Sequence, residues 1–124
     1  AQLLPEIDSP AVRACYDPGN VRFYEGISPE EDFPLIADQT YEIVAKDHRG
    51  LQAESDFPIP GEGDVDFNRI FTTARQAGFS GPVIVERADG TGGAFSAEEV
   101  DAGILQARRN LENLLRESGL DVET

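Results

Sequence analysis

The chain has 124 residues, the length of one domain, and sets 24 Asp plus Glu against 10 Lys plus Arg for a net charge of -14. So acidic a surface repels phosphate backbones and anionic lipid, whose binding needs clustered Lys and Arg, and no nucleic acid or membrane is expected as a partner. The composition, 40% hydrophobic and 27% charged, is that of a globular domain; with one cysteine and no apolar run of about 18 residues it points to a cytoplasmic, reducing compartment.

Along the chain, short apolar runs alternate with amphipathic segments, the pattern of βα units on a parallel sheet. Residues 2–7 read as the end of a helix. A first strand is expected over residues 12–16, with Cys15 as a small buried packing residue. Asp17-Pro18-Gly19-Asn20 then reads as a turn that stops the strand. A helix follows from Ser28, with Pro29 at its first position and a glutamate, Glu31, three residues after the cap, and runs to near Asp38.

The second strand covers residues 41–46, with the β-branched pair Ile43 and Val44. Residues 47–65 form a long loop without periodicity, rich in Gly, Pro, Asp and Glu; loops beyond about 12 to 15 residues are commonly functional lids or disordered. A helix over residues 66–77 puts Ile70, Ala74 and Ala77 on one face and ends at Gly78. The third strand, residues 81–86, is a continuous apolar run ending in a carboxylate, expected to be buried on both faces. The last helix spans residues 97–117, capped by Ser96 with Glu99 at the third position. Its apolar stripe is read as Ile104, Leu105, Leu111, Leu114 and Leu115, and Gly119 closes it.

Three parallel strands leave two unpaired edges, so the chain is expected to be an incomplete structural unit, completed by further strands or by another chain. Polar groups gather at the carboxyl end of each strand. They are Asp17 and Asn20 after the first, Lys46, Asp47, His48 and Arg49 after the second, and Glu86 and Arg87 after the third. In parallel βα architectures such groups converge on one mouth, where carboxylates need a shared cation or substrate hydroxyls. Oxygen-rich convergence suits a divalent ion such as Mg or Mn. An acid at a strand end can equally cap the next turn, and Asp17 before Pro-Gly is also a turn former. Lys46 is the sole lysine, and its place at a strand end suggests a role, although a lysine there can also simply face solvent. Gly61-Glu62-Gly63-Asp64 reads as a structural loop leading into the helix at Asp66, because its acids oppose a bound phosphate.

Four stretches, Cys15-Tyr16-Asp17-Pro18-Gly19-Asn20, Val44-Ala45-Lys46-Asp47, Pro60-Gly61-Glu62-Gly63-Asp64-Val65-Asp66-Phe67 and Gly81-Pro82-Val83-Ile84-Val85-Glu86, together resemble the xylose isomerase-like TIM barrels. That family includes sugar phosphate isomerases and epimerases. The resemblance implies that residues 1–124 are the C-terminal part of an eight-stranded (β/α)8 barrel, an α/β fold of which they supply the last three strands. It also implies a divalent metal (Mn, Mg or similar) held by two glutamates, an aspartate and a histidine. Asp17 matches the aspartate and Glu86 the last glutamate, whereas Val44 stands where the histidine is usual. That departure weakens the expected metal shell. His48 is a candidate substitute, although the loop position reads more as a surface histidine.

The implied chemistry is proton transfer next to a carbonyl through a metal-stabilised enediolate, with Glu86 and Lys46 catalytic. Asn20, Asp47, His48 and Arg49 would meet a small sugar or polyol. The alternatives are a non-catalytic or metal-free relative, or a subunit that completes a partner chain; a homo-oligomer is expected. The DNA-repair branch of the same superfamily, with its zinc-binding histidines and basic groove, is opposed by a single histidine and a charge of -14. The remaining acids fall on helix faces and loops, as expected of a protein adapted to high salt.

Overall fold

A computed structural model describes residues 3–86 and 95–123. After α1 (Leu3–Ile7) come β1 (Ala14–Tyr16), α2 (Pro18–Asn20), a π turn (Val21–Glu25) and α3 (Pro29–Asp32). Two 3-10 turns (Phe33–Leu35 and Ala37–Gln39) lead into β2 (Thr40–Ala45), followed by α4 (Phe67–Gln76), β3 (Val83–Val85) and α5 (Ala97–Glu117). The strands form one parallel sheet in the order β1-β2-β3. This is the expected α/β architecture of a partial TIM barrel.

Side chains alternate across a strand, so each strand divides its residues between two faces. Tyr16, Ile43 and Ala45 point to the helices and pack with Phe33, Phe67, Ile70, Phe71, Ala74 and Leu111, while Val83 and Val85 lie partly buried beside them. The opposite face carries Cys15, Glu42, Val44 and Ile84, of which Cys15 and Ile84 are exposed. The third strand is therefore apolar throughout but buried on one face only.

Cys15 is also a correction, because alternation along β1 turns Tyr16 into the core and so leaves Cys15 on the opposite, exposed face. Its thiol donates to Glu42 Oε1 at 3.3 Å. Burial and the neighbouring Glu42 push that thiol above its ordinary range, which keeps it protonated and unreactive.

Residues 17–20, expected as a turn, instead start a helix. Asp17 is its N-cap and accepts the Asn20 amide at 2.9 Å, and Gly26, at φ 65, ends the π turn that follows. The helix expected from Ser28 to Asp38 is α-helical only to Asp32. Pro34 has no N–H to continue the ladder, and the chain tightens into 3-10 turns. Ser28 does not cap the backbone; its hydroxyl donates to Glu30 Oε2 at 2.6 Å. Glu30 in turn accepts the Asp66 amide at 2.8 Å and so ties α3 to the start of α4. Burial alone would raise the Glu30 carboxyl, but these two donors outweigh it and hold the group below its ordinary range.

Asp66 caps α4 through the Arg69 amide, and Gly78 takes a left-handed φ of 76 just beyond it. The last helix has the expected bounds and a full capping box between Ser96 and Glu99. Its buried stripe is Gly103, Ala107 and Leu111, flanked by Leu114 and Leu115, whereas Ile104 and Leu105 are exposed. Small residues at the contact let α5 approach closely, and the bulkier expected pair lies one step round the helix. No helix among the described residues is long and apolar enough to cross a membrane.

Candidate functional site

Ala45 pairs with Val85, and one step further along the same register sets Lys46 beside Glu86 at the carboxyl end of the sheet. Lys46 Nζ donates to Glu86 Oε1 at 3.0 Å and lies 3.9 Å from Asp17 Oδ2. The lysine side chain is 10% exposed and that of Glu86 50%, so the ammonium is held inside and the carboxylate opens outward. Below the ammonium, the Phe57 ring centroid is 5.4 Å away. A Cβ on Gly19 would sit 2.6 Å from the Lys46 carbonyl oxygen, so only glycine lets α2 pack on this strand end. Burial pushes the Asp17 carboxyl up, against the Asn20 amide and the Lys46 charge that pull it down.

The loop after β2 is organised around Asp47. Its Oδ1 accepts the amides of His48 and Val65 at 2.8 and 3.1 Å, and its Oδ2 those of Gly61 and Gly63 at 2.9 Å each. A Cβ on Gly63 would strike this carboxylate, and Gly61 holds a φ of 94. The Gly-Glu-Gly stretch thus turns its amides on an anion, but an internal one. Burial pushes the Asp47 carboxyl up, and the four amides oppose that rise. With both oxygens committed to the loop, Asp47 is turned away from the position expected for a substrate ligand.

His48 is fully buried, contrary to the surface histidine expected from its loop position. Its Nε2 lies 2.7 Å from the Glu54 carbonyl oxygen, which can only accept, so Nε2 carries the proton. Nδ1 has no partner, and the ring packs against Phe23 and Phe57 with centroids 5.9 and 5.6 Å away. His48 therefore belongs to an aromatic platform beneath the mouth and does not stand in for a ligand at Val44. Arg49 donates to the Glu62 carbonyl at 2.9 Å and pairs with Asp56 at 3.5 Å. It braces the loop.

Of the residues singled out by sequence, the structure brings Asp17, Lys46 and Glu86 together. Asn20 takes part through its backbone, Asp47, His48 and Arg49 serve the adjoining loop, and Arg87 lies outside the described residues. Phe23 and Phe57 went unnoticed in the sequence. The one available signal was Phe57 itself, a large aromatic in an otherwise polar, irregular stretch.

The divalent ion that the resemblance implies would need several oxygen or nitrogen donors converging at this mouth. Carrying the register one step past Tyr16 and Ile43 puts Asp17, Val44 and Ile84 in one row beneath the Lys46–Glu86 pair. The middle position offers two methyl groups where an imidazole is expected. Among the described residues no three His, Cys, Asp or Glu side chains are grouped to hold a metal ion, and the two carboxylates at the mouth already share an ammonium. The described residues by themselves do not fit a divalent ion, since of the four ligands implied they supply two carboxylates, both within reach of an ammonium, and no imidazole.

Comparison with solved structures finds the same fold in a xylose isomerase domain protein from Planctomyces limnophilus, at 22% identity and a TM-score of 0.73, over 95% of this chain and 41% of that one. A xylose isomerase domain protein from Alicyclobacillus acidocaldarius subsp. acidocaldarius is similar at 18% identity and a TM-score of 0.72, over 95% of this chain and 42% of that one. The chain thus spans about two fifths of the length of these structures. No curated protein matches it. The sequence profile of the xylose isomerase-like TIM barrel matches residues 1–117. Sheet, strand-end cluster and profile agree, and the chain belongs to the xylose isomerase-like TIM barrel family.

Proposed function

We propose that the mouth formed by Asp17, Lys46 and Glu86 belongs to an isomerase or epimerase acting on a small sugar or polyol-derived carbonyl compound. In this reading residues 1–124 are the C-terminal part of the barrel and work together with the strands that complete it. The observation that carries it is the Lys46 ammonium, 3.0 Å from Glu86 and 3.9 Å from Asp17 at the carboxyl ends of three parallel strands. Active sites of (β/α)8 enzymes are built at that end.

Glu86 is half exposed and can reach a substrate, whereas Lys46 and Asp17 are held from behind. Glu86 takes the proton from the carbon next to the carbonyl. The C–H electron pair becomes the enediolate double bond, and the carbonyl oxygen gains negative charge beside the Lys46 ammonium. Return of the proton to the neighbouring carbon, with the hydroxyl proton there passing to the first oxygen so that the carbonyl moves over by one carbon, isomerises the substrate; delivery of a proton from water to the other face of the original carbon, with Glu86 giving its own proton to solvent, epimerises it. Asp17 positions the lysine and accepts from a substrate hydroxyl. Val44 favours a second reading, a barrel relative that binds without turnover.

Deuterium wash-in from D2O at the carbon next to the carbonyl, followed by proton NMR over a panel of aldoses and ketoses, tests the proposal without prior choice of substrate. Exchange is expected with at least one sugar, and Glu86→Gln is expected to lower its rate by about 100-fold or more with the fold unchanged. Exchange retained within severalfold in Glu86→Gln would remove Glu86 from the chemistry.

A further inference from the structure

We infer that the Lys46 ammonium is the resident cation of this mouth and takes the place that a divalent metal would fill between the carboxylates of Asp17 and Glu86. Three independent features converge on it. The ammonium lies 3.0 Å from one carboxylate and 3.9 Å from the other, which offsets half of the charge that would otherwise draw a metal. Its position is built: the stem is 10% exposed, Phe57 lies 5.4 Å below the charge, and Gly19 seats α2 against the Lys46 backbone. The position on β2 that could add a third ligand is Val44, one row below and on the same face, flanked by Asp17 and Ile84.

A fixed monovalent donor differs from a metal in what it recognises. An ammonium meets a single developing oxyanion with directional hydrogen bonds, whereas a divalent ion chelates two adjacent oxygens. The mouth therefore favours substrates that develop charge on one oxygen, and its chemistry is indifferent to chelators. This rests on the reading of the mouth as a proton-transfer site, but its test does not. Arg49 is tied to Asp56 and to the Glu62 carbonyl, and Arg22 to Asp64 and the Gly50 carbonyl, so both arginines are committed to the loop.

Elemental analysis of the purified protein and calorimetric titration with Mn2+ decide the point. The unaltered protein is expected to carry no stoichiometric Mn, Mg, Co or Zn and to show no saturable Mn2+ binding. Lys46→Met is expected to gain Mn2+ affinity by about tenfold or more, the scale on which groups around a metal ligand act, and Lys46→Met with Val44→His to gain further. Stoichiometric Mn2+ in the unaltered protein overturns the inference, as does a folded Lys46→Met with no gain. Should Lys46→Met fail to fold, the titration of the unaltered protein decides by itself. Deuterium wash-in that fails while Mn2+ binding is absent defeats the proposed reaction and leaves Lys46 as the resident cation.

Discussion

The two faces of the sheet are built from alternate residues of the same three strands, yet they do different work. On the helix side, Tyr16, Ile43 and Ala45 meet the rings of Phe33, Phe67 and Phe71, and all of these side chains but Tyr16 are 2% exposed or less. On the other side, Cys15, Glu42, Val44 and Ile84 make few contacts, and the face gathers its polar groups at one end, in Lys46, Glu86 and Asp17. Stability is concentrated where apolar area leaves water; the charged groups gather where they stay partly wet. A period of two along each strand keeps these demands apart.

The sharpest way to break this contrast is to damage the helix side. Phe71→Ala removes a fully buried ring and is expected to cost about 3–5 kcal/mol, read as a drop in the urea midpoint at unchanged slope. A cost below about 1 kcal/mol would mean that α4 is not held by this core. Next in size is the loop that carries the charged end. Asp47→Asn replaces an acceptor of four amides by a group that accepts with only one of its two arms. It is expected to cost about 2–3 kcal/mol and to speed amide exchange of Gly61, Gly63 and Val65. Amide exchange unchanged at those three positions would show that the loop is held by something else. The smallest effect belongs to the bare face. In residues 1–124 taken alone, Ile84→Ser, at a residue 45% exposed, should shift stability by no more than about 0.5 kcal/mol. A larger loss would show that a partner covers Ile84.

Much of this was legible in the residues themselves. The capping box of Ser96 and Glu99, the Asp66 cap and the parallel order of the strands follow from local chemistry and periodicity, which act over a few residues and leave a direct pattern. What lay hidden depended on contacts between residues far apart. Cys15 was placed inside by its apolar neighbours, but the core takes Tyr16, and alternation then leaves Cys15 on the other face. His48 reads as a surface residue from its polar surroundings, and only the folding of the loop over it by Phe23 and Phe57 buries it. Asp47 and Glu86 look alike as acids at strand ends. One is encircled by the loop that follows it; the other stays half exposed at the end of the sheet and pairs with Lys46.

Composition and pattern by themselves determined the α/β class, the three strands, the acidic surface and the short list of charged residues at the strand ends, because each is a property of the local chain. Tertiary structure decided which of those residues meet. The pairing of Lys46 with Glu86 spans 40 positions in sequence, and Gly61, Gly63 and Val65 reach Asp47 across 14 to 18. Such contacts are set by strand register and by one loop closing on a buried carboxylate. No window of sequence contains them, and the charge of the mouth is settled by the partners that the fold brings to each acid.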